Sequence, residues 1–154
     1  MIGINSRTLE DLDPEVRAIC LEHLRLCRDR GIELIVTSTY RDYAAQDALY
    51  AIGRTIETTT RKHVTNAKAG HSWHNFRVAY DVVPIVSGKP VWNASDPAWK
   101  EVVKYGKEAG AEAGADWQTF PDLPHFQYVP TISGLHLNLD EARSRFDEKG
   151  TIFA

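Results

Sequence analysis

The 154-residue chain has little cysteine, no long apolar run and no strong excess of one charge, and each shortage removes a class of protein. Its two cysteines, Cys20 and Cys27, fall seven apart on what reads as one helix, about 10 Å along its axis and too far for a mutual disulfide. They read as reduced core residues rather than as a disulfide framework. No stretch approaches the roughly 20 apolar residues of a membrane span, and MIGINSRTLEDLDPEV at the start has neither a basic leader nor an apolar core. The expectation is a protein made in the cytoplasm, without membrane insertion. Lys+Arg number 18 against 21 Asp+Glu, a formal charge of −3, so there is no basic footprint and nucleic acid is not an expected partner. What is present is a globular composition, 43% hydrophobic and 25% charged, at the length of one domain spanning 1–154, with no repeats or linkers.

Helix and strand signals alternate along the chain. Asp13-Pro14 reads as an N-cap with proline in the first turn, and Val16, Ile19, Cys20, His23, Leu24 and Cys27 recur at helical spacing, predicting a helix over 14–30. IELIVTSTY (32–40) is β-branched and preceded by glycine, which predicts a buried strand. RDYAAQDALYAIG (41–53) predicts a second helix, capped by Asp42 and stopped by Gly53. Residues 54–70 are polar and aperiodic, a long surface loop of the kind that often carries function. SGKP (87–90) reads as a turn between VVPIV and VW, and so as a hairpin. Asp96-Pro97 repeats the helix-start signal, with Trp99, Val102, Val103, Gly106 and Ala109 at helical spacing up to Gly110. Two short strand-like pieces flank a proline-rich connection in GADWQTFPDLPHFQYV (114–129), and LDEARSRFDEKG (139–150) predicts a last helix. This order implies an α+β domain.

The chemistry concentrates in GHSWHNFRVAYDVVP (70–84), where His71 and His74 precede a strand-like segment with Asp81 in its middle. Residues seven apart face opposite sides of a regular strand and lie about 10 Å apart along a regular helix, so neither element brings His74 to Asp81. A turn at His74, entering a strand that begins near Arg77, would. Imidazole nitrogen and carboxylate oxygen are both zinc ligands at roughly 2.0–2.2 Å, so the pair can supply two thirds of a catalytic site with an open position. The alternative is an Asp81 that ends or bulges an edge strand beneath surface histidines. PDLPHFQY (121–128) adds a third piece, because Pro121 and Pro124 stiffen a connection that sets Asp122 three residues before His125, and Phe126 and Tyr128 bracket Gln127. If His125 completes the ligand set, Asp122 lies close enough in sequence to take a proton from a metal-activated water.

Three stretches, in order, resemble the LAS metallopeptidases, which cleave D-amino-acid-containing bonds of bacterial peptidoglycan. SWHNFRVAYD (72–81) is similar to their S-x-H-x-x-G-x-A-x-D signature. ADWQTFPDLPHF (115–126) resembles the second signature of the phage endolysins that are L-alanyl-D-glutamate peptidases, and TSTYRDYAAQDALYAIGR (37–54) resembles that group's S-x-Y-R-x-x-x-x-Q-x-x-L-Y-x-x-G-R stretch. The resemblance implies a hedgehog/DD-peptidase-like α+β fold with a central, mainly antiparallel sheet flanked by helices. It further implies zinc bound by His74, Asp81 and His125, Asp122 as catalytic base, and Arg41 in the substrate cleft, stabilising charge on the scissile carbonyl. Ser72, Gln46 and Trp117, at matching motif positions, would support the ligands or line the substrate site. The chain departs from the signature at Arg77, which stands where the family has glycine, the residue used for tight backbone approach.

The resulting expectation is a zinc-dependent hydrolase of peptidoglycan stem peptides, a monomeric phage endolysin made in the host cytoplasm that reaches the wall after holin-type permeabilisation. No separate wall-binding domain is expected. A D-Ala-D-Ala carboxypeptidase or dipeptidase is the alternative activity, and a non-catalytic module that keeps zinc for stability is the alternative class. A free carboxylate at Asp122 favours an enzyme. Its being an aspartate in a D-x-P-H-F setting, where carboxypeptidase relatives carry glutamate before the histidine, and the lack of an export signal favour the endolysin. Of the other histidines, His71 reads as a rim residue with a lesser claim as ligand, His63 and His136 as surface residues, and His23 as a hydrogen-bonded residue at the core edge. Arg41 has a simpler alternative as an ion-pair partner of Asp42 or Glu57, and Trp73, Trp92 and Trp99 read as core or cleft-wall aromatics.

Overall fold

The period-two alternation of one central strand decides what lies inside the protein and what faces the cleft. The computed structural model describes residues 3–55 and 64–153. Among these, helices α1 (Pro14–Asp29), α2 (Tyr43–Ala51), α3 (Ala98–Glu108) and α4 (Leu139–Lys149) flank a sheet whose pairings are all antiparallel. Its strands are β1 (Glu33–Ser38), β2 (Ala79–Val86), β3 (Lys89–Pro90), β4 (Glu112–Ala113) and β5 (His125–Gln127). They run in the order β1-β2-β5-β4, and β3 folds back on β2. A separate hairpin of β6 (Thr131–Ile132) and β7 (Leu135–His136) precedes α4. The α+β class, the antiparallel sheet and the flanking helices are those expected from the sequence. No helix among the described residues is long and apolar enough to cross a membrane.

Tyr80 on β2 and Phe126 on β5 are cross-strand partners, stacked with ring centroids 5.7 Å apart and fully buried. Helices α1 and α3 cover that face. His23 of α1 touches both rings, accepts from the Tyr80 hydroxyl at 2.8 Å and donates its Nε2–H to the Val102 carbonyl of α3 at 2.8 Å. Val16, Cys20, Trp99 and Val102 complete the contact, and full burial of side chains of this size is worth roughly 1.5–3 kcal/mol each. Gly106 lets α3 approach this closely, because a Cβ there would overlap the Phe126 ring. Asp81 and His125, one residue on from Tyr80 and one before Phe126, are left on the opposite face.

Local signals account for most boundaries, and the exceptions are informative. Asp42 and Asn138 cap α2 and α4, each accepting a first-turn amide at 2.8 Å. Asp13 occupies the expected cap position of α1, but its carboxylate accepts from the Thr151 hydroxyl at 2.6 Å and from no helix amide. Instead of a buried strand, β1 is the sheet edge, with Ile35 44% exposed, because β-branched residues favour an extended backbone whatever covers it. The turn after β2 is only Ser87 and Gly88, at φ 52° and 77°, so the returning strand is Lys89–Pro90 and not Val91–Trp92. Within 114–129 only β5 is a strand; β4 comes just before, and Gly114–Asp116 form a 3-10 turn. The described parts of the predicted 54–70 loop contain no helix or strand. His63 and Glu57 lie outside the described residues. Cys20 and Cys27 are buried and free, whereas His23 sits in the core rather than at its edge.

Burial pulls the His23 pKa from 6.5 down to about 4, the bond to Val102 offsetting only part of that pull. Between these values the unfolded chain takes up a proton that the folded protein refuses. Stability is therefore complete above about pH 6.5 and falls as the pH drops toward 4, by up to about 3 kcal/mol. Urea unfolding of chelator-treated protein between these limits should show that slope, and His23→Gln should flatten it. An equally steep slope in the variant would place the acid sensitivity elsewhere.

Candidate functional site

His74 lies on a 3-10 turn, Trp73–Phe76, that leads into β2. Ser72 and Asn75 close the turn's start, Ser72 Oγ accepting the His74 amide at 3.3 Å and Asn75 Oδ1 accepting the Ser72 amide at 3.3 Å. Phe76 anchors the turn from beneath against Phe146 of α4, their ring centroids 5.7 Å apart. Arg77 follows at φ 64°, in the left-handed region where glycine is usual. That bend resolves the parity problem between His74 and Asp81. The Arg77 side chain turns away from the site, its guanidinium 3.9 Å over the Tyr40 ring and donating to the Asp11 carbonyl at 3.1 Å.

Asp81 and His125 are direct partners across β2 and β5, so their side chains share a face. The structure brings His74, Asp81 and His125 together, one ligand atom of each lying within 4.8 Å of the others. Asp81 Oδ1 is 3.2 Å from His74 Nε2 and 3.3 Å from His125 Nδ1. The far nitrogens are engaged: His74 Nδ1–H donates to the Thr39 carbonyl at 2.8 Å and His125 Nε2–H donates to Gln127 Oε1 at 2.7 Å. With those protons placed, two imidazole lone pairs and a carboxylate oxygen converge. Three acceptors with no donor between them require protons or a cation, and the nitrogen and oxygen donors fit a divalent metal. Burial works against the charged form of Asp81, yet the two imidazoles outweigh it and hold the carboxyl well below the usual carboxylate range. Burial likewise disfavours charged His125, but Asp81 and then Gln127 hold its pKa above the ordinary value.

A cleft of about 780 Å³ opens over this cluster. Its lining includes Arg41, Lys68, His71, Ser72, Trp117 and Asp122. Arg41 donates to Gln46 Oε1 at 3.0 Å and to Ser38 Oγ at 3.3 Å, and its Nε is buried without a partner. It makes no ion pair with Asp42, whose carboxylate instead caps α2 and accepts the Ile4 amide. Gln46 is fully buried, with its Nε2 on the Ala67 carbonyl at 2.7 Å, so it braces Arg41 and does not line the cleft. Asp122 stands exposed at the cleft mouth, its amide on the Gly114 carbonyl at 3.0 Å and its carbonyl receiving the His125 amide at 3.3 Å. A Cβ on Gly114 would come within 2.5 Å of that Asp122 carbonyl. Crowding by the protein, and then repulsion from Asp81, hold the Asp122 carboxyl above the usual carboxylate range. The Trp117 ring lies 4.9 Å from that of His125.

Other candidates fall outside the cluster. His71 is exposed on the cleft rim, with Nδ1 on the Ala69 carbonyl at 3.2 Å, and His136 is exposed on β7. Ser72 holds the backbone of the turn, whereas the His74 ring itself is oriented by Thr39. Sequence reasoning missed Thr39 and Gln127 as the groups that set the two imidazoles. For Gln127 a signal exists, since in H-F-Q it falls two residues after His125 and so shares its face. For Thr39 there is none, because the partner is a backbone carbonyl.

A curated relative is the peptidoglycan L-alanyl-D-glutamate endopeptidase CwlK of Bacillus subtilis (strain 168), 32% identical over 128 residues, 78% of this chain and 75% of that protein. The family described as D-alanyl-D-alanine carboxypeptidase matches residues 65–128. Among solved structures, the L-Ala D-Glu endopeptidase ChiX of Serratia marcescens is similar with a TM-score of 0.55 and 22% identity, over 80% of this chain and 87% of that one. The LdcB LD-carboxypeptidase is similar with a TM-score of 0.60 and 17% identity, over 91% and 65%. These two likenesses establish the shared fold.

Outer partners of metal-binding histidines typically contribute 10–100-fold to metal affinity. If the cluster holds a divalent metal, Gln127→Ala should weaken that binding by roughly the same factor in competition with a chromophoric chelator. Unchanged affinity would show that Nδ1 of His125 needs no help to face the metal.

Proposed function

The chain belongs to the M15-type LAS peptidase family, and from that premise we propose that it is a zinc-dependent phage endolysin cleaving the L-alanyl-D-glutamate bond of peptidoglycan stem peptides. The observation that carries the reading is the convergence of the His74, Asp81 and His125 lone pairs in a cleft that Asp122 also lines. The bond is the one named for CwlK, and the aspartate of the D-x-P-H-F segment resembles the endolysin branch of the family.

His74, Asp81 and His125 would hold the zinc, which would supply Lewis acidity and a water with its pKa lowered to about 7. Asp122, in the lining of the same cleft, takes the proton of the attacking water on a carboxylate oxygen and delivers it to the leaving nitrogen. Arg41, aimed by Gln46 and Ser38, stabilises the negative charge that develops on the carbonyl oxygen. Trp117 walls the cleft beside His125 and limits water around the reacting bond. In this reading the protein acts as a monomer, is made in the host cytoplasm and meets the wall after holin-type permeabilisation.

Digestion of purified sacculi should create new N-terminal D-glutamate and new C-terminal L-alanine. Release of free D-alanine alone would instead mark a carboxypeptidase. Asp122→Asn should keep its zinc and lose roughly 10²–10⁴-fold in turnover, while His125→Ala should lose the zinc itself. The endolysin role is tested by inducing the protein in cells with and without a co-expressed holin. Lysis that needs the holin supports it, and lysis without the holin overturns that route to the wall.

A further inference from the structure

The cleft runs across the sheet. Asp81 stands in its floor on β2; the wall on the β1 side is residues 64–73, and the wall on the β5 and β4 side is Trp117–Asp122. The charges are unequally divided between the walls. On the β5 side the described lining residues are Trp117, Thr119, Phe120 and Asp122, with one carboxylate and no cation. The floor cation, Arg41, is already engaged by Gln46 and Ser38. On the β1 side stands Lys68, exposed and paired with no carboxylate among the described residues. Its Nζ lies 5.5 Å from the centroid of the Tyr50 ring.

A surface lysine is ordinarily unremarkable, but the backbone under this one is built. Residues 64–70 contain no helix or strand, yet each peptide flanking Lys68 is tied down. The Ala67 carbonyl accepts from the buried amide of Gln46 at 2.7 Å, and the Ala67 amide donates to Thr65 Oγ1 at 3.1 Å. The Ala69 amide donates to Asp47 Oδ1 at 2.9 Å, the Gly70 amide to Asn75 Oδ1 at 3.1 Å, and the Lys68 carbonyl accepts the His71 amide at 3.0 Å. Gln46 braces Arg41 with the other end of the same amide. One buried side chain therefore sets the spacing between the cleft floor and the rim that carries Lys68, the kind of support that recognition groups require.

From this placement we propose that Lys68 is a specificity-determining residue that binds a free carboxylate of the substrate next to the scissile bond. The assignment rests on the peptidase reading above. A glutamyl residue carries one carboxyl group more than chain continuation needs, so cleavage before glutamate brings an anion within one residue of the reacting carbonyl. Asp122 repels that anion from the β5 side. The β1 side offers it a charged partner, which gives a charge-assisted hydrogen bond and selects against an uncharged amide at the same position.

The test uses two synthetic stem peptides that differ only in whether the free glutamyl carboxyl is an acid or a primary amide. The zinc-loaded wild type should show a KM roughly 10-fold lower for the acid, an advantage that added salt erodes. Lys68→Met should abolish the preference by raising KM for the acid, with kcat moving less than KM and zinc content unchanged, and Lys68→Arg should restore it. Wild-type cleavage at the alanyl-glutamyl bond without preference, or a preference that survives in Lys68→Met, overturns the Lys68 assignment alone. Failure of the wild type to cut that bond in either peptide overturns the peptidase reading, and the Lys68 assignment with it.

Discussion

The antiparallel register of β2 against β5 places Asp81 opposite His125 and, in the same step, Tyr80 opposite Phe126. Ligand spacing and core packing are thus one constraint. A slip of one residue would turn one strand over relative to the other, sending its half of the Asp81–His125 pair into the space under α1 and α3 and exposing its large aromatic ring, at a cost of a few kcal/mol by area burial. His23 reinforces the register from the helix side by bonding the Tyr80 hydroxyl while packing on Phe126. The geometry of the Asp81–His125 pair therefore draws its rigidity from the hydrophobic face that it does not touch.

The third ligand comes from outside the ladder. His74 reaches Asp81 because a 3-10 turn ends in a residue with positive φ, and the backbone reverses its facing before β2 begins. A non-glycine residue in that conformation costs about 1–2 kcal/mol. At Arg77 this cost is offset by stacking on Tyr40 and by the bond to the Asp11 carbonyl, contacts that glycine could not make. The same contacts carry the long side chain away from the cleft, so the departure from the family signature leaves the site's floor open. The glycine of that signature has its physical reason in this φ.

The cleft walls are held by side chains rather than by ladders. Gln46 and Asn75, both fully buried, hydrogen-bond backbone on the segments around them: the Ala67 carbonyl, the Gly70 amide and the Arg41 carbonyl. On the other side Gly114 allows the Asp122 carbonyl to approach where any Cβ would obstruct it. Walls built in this way can be reshaped without touching the metal ligands, which places selectivity among substrates in residues such as Lys68 rather than in the floor.

Much of this was legible in the chain itself. Asp13-Pro14 and Asp96-Pro97 at the starts of α1 and α3, Asp42 before α2, and glycine within two residues after all four helices mark their ends through local backbone chemistry, and His74, Asp81, Asp122 and His125 stand out because they sit beside strand-like apolar stretches. Local chemistry could not say that β1 is an edge, that the Asp13 carboxylate accepts from Thr151 rather than from a helix amide, or that the turn at Ser87–Gly88 is only two residues long. Nor could it show which nitrogen of each histidine faces Asp81, since that is set by the Thr39 carbonyl and by Gln127. Propensity, capping and periodicity act over a few residues and are written in the sequence. Burial, tautomer and the meeting of His74 with Asp81 depend on which distant segments arrive beside one another, and only the packed tertiary structure decides that.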